Sequence, residues 1–282
     1  LWALATYFVV IWGAGYVATR AALQYAAPFT YIGIRFAIGA VVAGAFALAV
    51  KAAWPQNART WGHVAVAGLL VNVGYLGASH YAQFWGMSAG VVALILALQP
   101  IITSVMAARL LHERLARVQV VGVWVGLLGV ALVVAHKIDI RAVTPEALAA
   151  VGLALALITG GTLYQRRYCP DTDLRSSIAI HFAASAAVGL PLGWALEGFA
   201  IQWVPTLGWT LLYHVLLASM GAATILHFLM RRGQATQVTS LLYLTPPVAV
   251  VCEWLWFGAV PTALTLLGMV VACVGVAMTS RR

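Results

Sequence analysis

The sequence predicts an all-α integral membrane protein of ten transmembrane helices, arranged as two inverted five-helix repeats. Three observations carry that expectation. Only 8% of the 282 residues are charged against 63% hydrophobic, and the mean hydropathy is +0.95, far too little polar surface for a soluble domain of this length. Apolar runs of about 20 residues, the length a bilayer core requires, recur along the whole chain. The second half also repeats the first: aligning Pro100 with Pro246 sets an offset of 146 residues that also pairs Gly122 with Gly268, Gly129 with Gly275, Arg20 with Arg166, and Arg35-Phe36 with His181-Phe182.

In chain order, span one (2–19) has neither a basic leader region nor an evident cleavage site, so it reads as a retained helix rather than a signal peptide. It carries Trp12 and Tyr16 one turn apart beside Gly13-Ala14-Gly15, where missing side chains let a ligand or a neighbouring helix approach the backbone. Span two (29–50) contains Arg35, expected to satisfy carbonyls or stabilise the outer mouth, with a substrate contact as the alternative. Span three (62–83) places Asn72, Tyr75, Ser79, His80 and Gln83 on one helical face, about 140° wide at about 100° per residue. A polar side chain facing lipid is expensive and one facing a wet cavity is not, so this face is a candidate cavity wall, with interhelical hydrogen bonding as the alternative.

Span four (88–110) is interrupted by Gln99-Pro100, followed by Thr103, and Arg109, His112, Glu113 and Arg114 crowd its end. Proline lacks a backbone donor and frees a carbonyl, which inside a membrane needs a partner or a water-lined cavity. Span five (118–135) closes the first repeat, 1–135, and a linker, 136–146, is expected on the periplasmic side. Span six (147–165) brings Thr159 and Thr162 around Gly160-Gly161, and span seven (176–196) carries His181-Phe182. In span eight (208–230) the offset maps Tyr75 to Gly221 and Tyr81 to His227, so Gly221 and His214 on its face should look inward and His227 should not. Span nine (235–257) offers Thr236, Ser240 and Tyr243 beside Pro246-Pro247, with Glu253 near its outer end, where snorkelling, a structural role and proton carriage all remain open. Span ten (263–280) ends the second repeat, 147–282. Pro28, Pro55-Gln56-Asn57, Thr144-Pro145-Glu146, Pro170 to Asp173, Pro205 and Pro261 punctuate the junctions.

An even number of spans puts both termini on one side. Placing them in the cytoplasm leaves only Arg20, Lys137 and Arg141 among the loop cations outside, while Lys51, Arg59, Arg109, Arg114, Arg117, Arg166, Arg167, Arg175, Arg231, Arg232, Arg281 and Arg282 lie inside. That asymmetry accounts for the net charge of +9 without a nucleic-acid partner. Five spans per repeat is odd, so the second copy enters the membrane upside down, the architecture used for alternating access around a shared midplane site. Cys169, Cys252 and Cys273 have no metal-ligand spacing, so neither a bridge nor a metal is expected.

The stretches "FVVIWGAGYVATRAALQYAAPFTYIGIRF", "SAGVVALILALQPIITSVMAARLLHERL" and "SLLYLTPPVAVVCEWLWFGAVPTALTLLGMVVACVGVAM" resemble the paired repeats of the EamA-type drug/metabolite transporter (DMT) superfamily, over nearly the whole chain. The Trp- and Tyr-rich, small-residue character is most similar to the YddG-type bacterial exporters of aromatic and other amino acids. The resemblance implies a basket of ten helices, with spans one, three, four, six, eight and nine around a central cavity and spans five and ten peripheral. One departure is that His112-Glu113-Arg114 of the first repeat corresponds to Gly258-Ala259-Val260 of the second.

The candidate substrate-binding residues are therefore Trp12, Tyr16, Tyr75, Ser79, His80, Gln83, Gln99, Thr159, His214, Ser240 and Tyr243. Gly13, Gly15, Pro100, Gly160, Gly161, Pro246 and Pro247 are the candidate helix breaks or gates. For each aromatic ring, packing or interfacial anchoring stays an alternative. An aromatic, hydroxylic and amide-bearing site suits a neutral or zwitterionic metabolite such as an amino acid, exported by a monomer with no cofactor in a bacterial cytoplasmic membrane. A proton-coupled exporter of cationic compounds is the rival. No pattern for enzymatic chemistry is present: the sequence has no H-E-x-x-H and no Asp-rich diphosphate site.

Overall fold

A computed structural model describes residues 2–99, 102, 106, 117–139, 143–222, 225 and 245–279. Among the described residues the chain forms ten helical elements: α1 (Trp2–Ala22), α2 (Pro28–Ala49), α3 (Ala58–Phe84), α4 (Ala89–Leu96), α5 (Arg117–Asp139), α6 (Pro145–Tyr168), α7 (Leu174–Glu197), α8 (Pro205–Leu212, continuing through Tyr213–Ala222), α9 (Thr245–Phe257) and α10 (Ala263–Thr279). Four of them, α2, α3, α6 and α7, are long and apolar enough to cross a membrane by length and composition. Large apolar side chains point outward on many of the helices; Trp124, Trp194, Leu255 and Trp256 are more than half exposed, a surface that suits lipid rather than water.

Helix starts follow local chemistry. Pro28, Pro145 and Pro205 sit in the first turns of α2, α6 and α8, where a missing N–H costs nothing. Asn57, Ser88, Thr144 and Asp173 cap α3, α4, α6 and α7 by accepting backbone N–H bonds. Gly198 ends α7 in the left-handed region at φ 60°. The Tyr25 to Ala27 connection pairs with the Ala200 to Gln202 connection: Gln202 N donates to Tyr25 O at 2.7 Å and Ala27 N to Ala200 O at 3.0 Å.

Small residues decide which helices touch. In α2 against α7, Gly33 lies on the backbone of Gly189 and Leu190, and Gly193 lies on that of Thr30. Phe36 and Phe182 pack as tilted rings with centroids 5.1 Å apart. In α5 against α10, Gly129 lies on Gly268 and Ala272, and Gly275 lies on Gly122 and Gly126. Without a hydrophobic drive between helices in lipid, such close backbone approach provides the packing contact.

Two stretches are π-helical, Leu69–Leu76 within α3 and Tyr213–Ala222 at the end of α8. Regular 3.6-residue periodicity does not anticipate them. α4 ends at Leu96: Ala97 and Leu98 form a turn, with Leu98 N bonding Ile95 O at 3.1 Å, and Gln99 is helical again. Pro246 and Pro247 lie in α9, Pro246 buried. Pro100, Thr103, Arg109, His112, Glu113, Arg114, His227, Thr236, Ser240 and Tyr243 lie outside the described residues.

Candidate functional site

A polar cluster occupies the interior where α1, α2, α3 and α8 meet. Tyr31 of α2 is fully buried and its hydroxyl lies 2.5 Å from His214 Nδ1. His214 Nε2 lies 3.1 Å from the Gly15 carbonyl and 3.4 Å from Thr19 Oγ1. A carbonyl can only accept, so Nε2 carries the proton, and Nδ1 of the neutral ring accepts the Tyr31 hydroxyl. The Tyr31 ring also approaches His80, centroids 6.1 Å apart, while His80 Nδ1 lies 3.4 Å from Ser79 Oγ. Tyr16 of α1 and Tyr75 of the π-helical part of α3 lie within electrostatic reach of each other.

One turn after Tyr31, Arg35 is 7% exposed, donates from Nη2 to Ser219 Oγ at 3.0 Å, and lies 5.2 Å from the Phe36 centroid. Tyr31, Tyr75, Tyr213, His80 and His214 are the groups within its electrostatic reach. Arg35 Nε, His80 Nε2 and Gln83 Oε1 are buried without a hydrogen-bond partner among the described residues.

The other candidates are distributed around this cluster. Trp12 packs on Phe8 with centroids 5.3 Å apart. Gly13 accommodates α9, since a side chain there would meet Val248 at 2.8 Å and the Thr245 carbonyl at 2.9 Å. Gly15 lies beside His214. Gln99 Nε2 donates to Thr162 Oγ1 at 3.2 Å, tying the end of the α4 region to α6. Thr159 and Thr162 donate back to Leu155 and Ile158 carbonyls of their own helix, the usual arrangement of a mid-helix hydroxyl. Gly161 packs on Leu70 and Val71 of α3, whereas Gly160 has open space beside it. Asn72 turns to α7, donating to Ser185 Oγ at 3.2 Å, so it acts as an interhelical link.

Two carboxylates fasten the end of the bundle where Pro28, Phe84, Glu197 and Phe257 lie. Glu197 accepts from Phe29 N and Thr30 N at 2.8 Å each, from Thr30 Oγ1 at 2.8 Å and from Tyr81 Oη at 2.7 Å. Glu253, 4% exposed, is paired with Arg20 and accepts from Ala89 N and Gly90 N at 3.1 and 3.0 Å. Each carboxylate therefore occupies a helix N-terminus, of α2 and of α4, where free N–H groups and the helix dipole favour negative charge. Glu253 does not snorkel to the surface, and Arg35 finds a serine where carbonyls were expected. At the opposite end Asp173 caps α7 and binds Arg175 at 3.0 and 2.6 Å, which holds its carboxyl well below the usual carboxylate range.

Sequence reasoning passed over Tyr31, Thr19 and Ser219. Tyr31 had a legible signal, since "TYIGIRF" sets it four residues before Arg35 on the same helical face. Thr19 and Ser219 had none, because an isolated hydroxyl in a membrane helix bonds its own backbone just as readily.

An all-helical bundle with a lipid-facing apolar exterior and a buried polar cluster defines a multi-pass membrane protein. The sequence profile of the EamA-like transporter family matches residues 1–135 and 144–281, and the chain belongs to that family, a group of membrane transporters within the drug/metabolite transporter superfamily. It is similar to the uncharacterized transporter YvbV of Bacillus subtilis, 23% identical over 99% of this chain and 91% of that one. A probable terminal-alkyne amino-acid exporter of Streptantibioticus cattleyicolor is 30% identical over 70% of this chain and 67% of its own. A probable amino-acid metabolite efflux pump of Salmonella typhimurium is 24% identical over 96% and 92%. A solved crystal structure shares the fold at a TM-score of 0.68 and 18% identity, covering 98% of this chain and 94% of that one.

Proposed function

We propose that this transporter is a monomeric exporter of small neutral or zwitterionic metabolites, amino acids with aromatic or apolar side groups among them. On this reading it works by alternating access in a bacterial cytoplasmic membrane, with both termini inside. The observation that carries the substrate class is the interior cluster itself. Tyr16, Tyr31, Tyr75 and two histidines supply ring faces and hydroxyls, and the described carboxylates nearest the interior, Glu197 and Glu253, are committed to helix N-termini instead. A site built for cations would favour free carboxylates, and one built for polyphosphates several cations. The two relatives named for amino-acid export and efflux support the same class.

The inverted-repeat reading is supported by contacts that exchange under the 146-residue offset. Phe36 and Phe182 are counterparts and touch each other. The Gly129–Gly268 contact has Gly275–Gly122 as its image, as a two-fold relation between copies requires. Leu69–Leu76 falls on Val215 to Ala222, inside the second π-helical stretch.

Purified protein in liposomes, offered radiolabelled amino acids, nucleosides and lipophilic cations with and without a pH gradient, tests the proposal. Saturable amino-acid flux is expected, reduced at least tenfold by Tyr75→Ala, Gln99→Ala or Ser240→Ala. Flux of dyes or lipophilic cations that collapses with the pH gradient, with amino-acid flux absent, would establish the proton-coupled multidrug exporter instead.

A further inference from the structure

Among the described residues, Arg35 is a buried cation with no anion. The residue is 7% exposed, its Nη2 has a neutral hydroxyl partner in Ser219, and its Nε has no partner among the described residues. The ion pairs among the described residues are Arg20 with Glu253 and Arg175 with Asp173, neither of which includes a residue of α2. Within electrostatic reach of the guanidinium are Tyr31, Tyr75, Tyr213, His80 and His214, donors and rings rather than carboxylates. A full charge taken from water into a membrane interior is expensive unless it is paired, and arginine, which does not deprotonate, cannot escape that cost by neutralising. A merely structural arginine would commit its five N–H groups to carbonyls; this one retains an unsatisfied Nε, and the equally unsatisfied His80 Nε2 lies within its electrostatic reach.

We propose that the missing anion is the carboxylate of the transported molecule, bound by Arg35, with His80 Nε2 as a second polar contact. The inference rests on the reading of this interior as the transport site, and it assigns which end of a zwitterion points at α2. The fork of a guanidinium matches the two oxygens of a carboxylate, whereas an amide offers one carbonyl and competing N–H groups. Tyr16 and Tyr75 then face the remainder of the substrate.

The test compares L-phenylalanine, L-phenylalaninamide and phenylacetate by equilibrium binding and by thermal stabilisation of the purified protein. The wild type should bind both carboxylates about ten- to hundredfold more tightly than the amide. Arg35→Gln should lower the acids to the level of the amide while leaving the amide unchanged, and Arg35→Lys should recover part of the difference. The wild-type ligand series holds even if an Arg35 variant fails to fold. Equal binding of acid and amide by the wild type overturns the inference, as does no carboxylate binding at all, or an equal loss for acid and amide in Arg35→Gln. If phenylacetate binds in an Arg35-dependent way and no amino acid does, the carboxylate hook stands and the amino-acid reading falls.

Discussion

His214 shows how much organisation a single side chain can impose. Its two nitrogens join α8 to α2 through Tyr31 and to α1 through the Gly15 carbonyl, which fixes one tautomer. Tyr31→Phe removes the hydroxyl and leaves Nδ1 a buried acceptor without a donor. The expected cost is about 1–3 kcal/mol, read as a fall of several degrees in the melting temperature of the detergent-solubilised protein. A second prediction concerns Asp173, whose carboxyl is held low by Arg175. A carboxyl with a depressed folded-state pKa stabilises above its unfolded value and loses that contribution as pH falls towards the folded one. Asp173→Asn should therefore lower the melting temperature at pH 7, and the gap from wild type should narrow as pH drops below about 4. At this scale polarity and spacing in the sequence reached the residues on α3 and His214, because an uncommon polar side chain in an apolar helix is conspicuous. They did not reach partners such as Ser219, whose importance lies entirely in what stands across from it.

At the scale of the helix, the acids at the termini of α2 and α4 matter more than those in the loops. Glu253 gathers α1, α4 and α9 at one end through Arg20 and two backbone N–H groups. Glu253→Gln keeps its volume and removes its charge. It should destabilise the protein by about 1–3 kcal/mol, given that Arg20 is partly solvated, and should speed alkylation of a cysteine placed at Val91. Close helix contacts give a second element-level expectation: Gly129→Leu forces side-chain atoms into the backbone of α10 and should abolish folding or cost more than about 3 kcal/mol, visible as loss of the monodisperse peak in size exclusion. Span positions were legible because a bilayer fixes their length, and the observed α2, α3, α6 and α7 overlap the expected spans within a few residues. The π-helical stretches were not legible, since a wide turn leaves no mark in a period of 3.6.

For the molecule as a whole, the charge asymmetry and the repeat make a joint prediction. In whole cells, single cysteines at Gly86 and Trp203 should react with an impermeant maleimide, and those at Asn57 and Asp171 should react only after permeabilisation. The opposite pattern would invert the orientation, and a mixed pattern would break the two-copy reading. Self-similarity in the sequence bears on this large-scale picture more than any single motif does, because an offset shared by glycines, prolines and an Arg-Phe/His-Phe pair constrains the whole chain at once. What it did not carry was the interior geometry, which depends on how four separate helices meet.

The wide turns of α3 and α8 have a mechanical corollary. A helix that stores surplus backbone can release it to an adjoining winding, and shifting one residue swivels everything beyond it by roughly 100° about the axis. His80 and Gln83 follow the surplus in α3, so a swivel there re-aims them and must also release the Tyr81–Glu197 bond that ties down the same end.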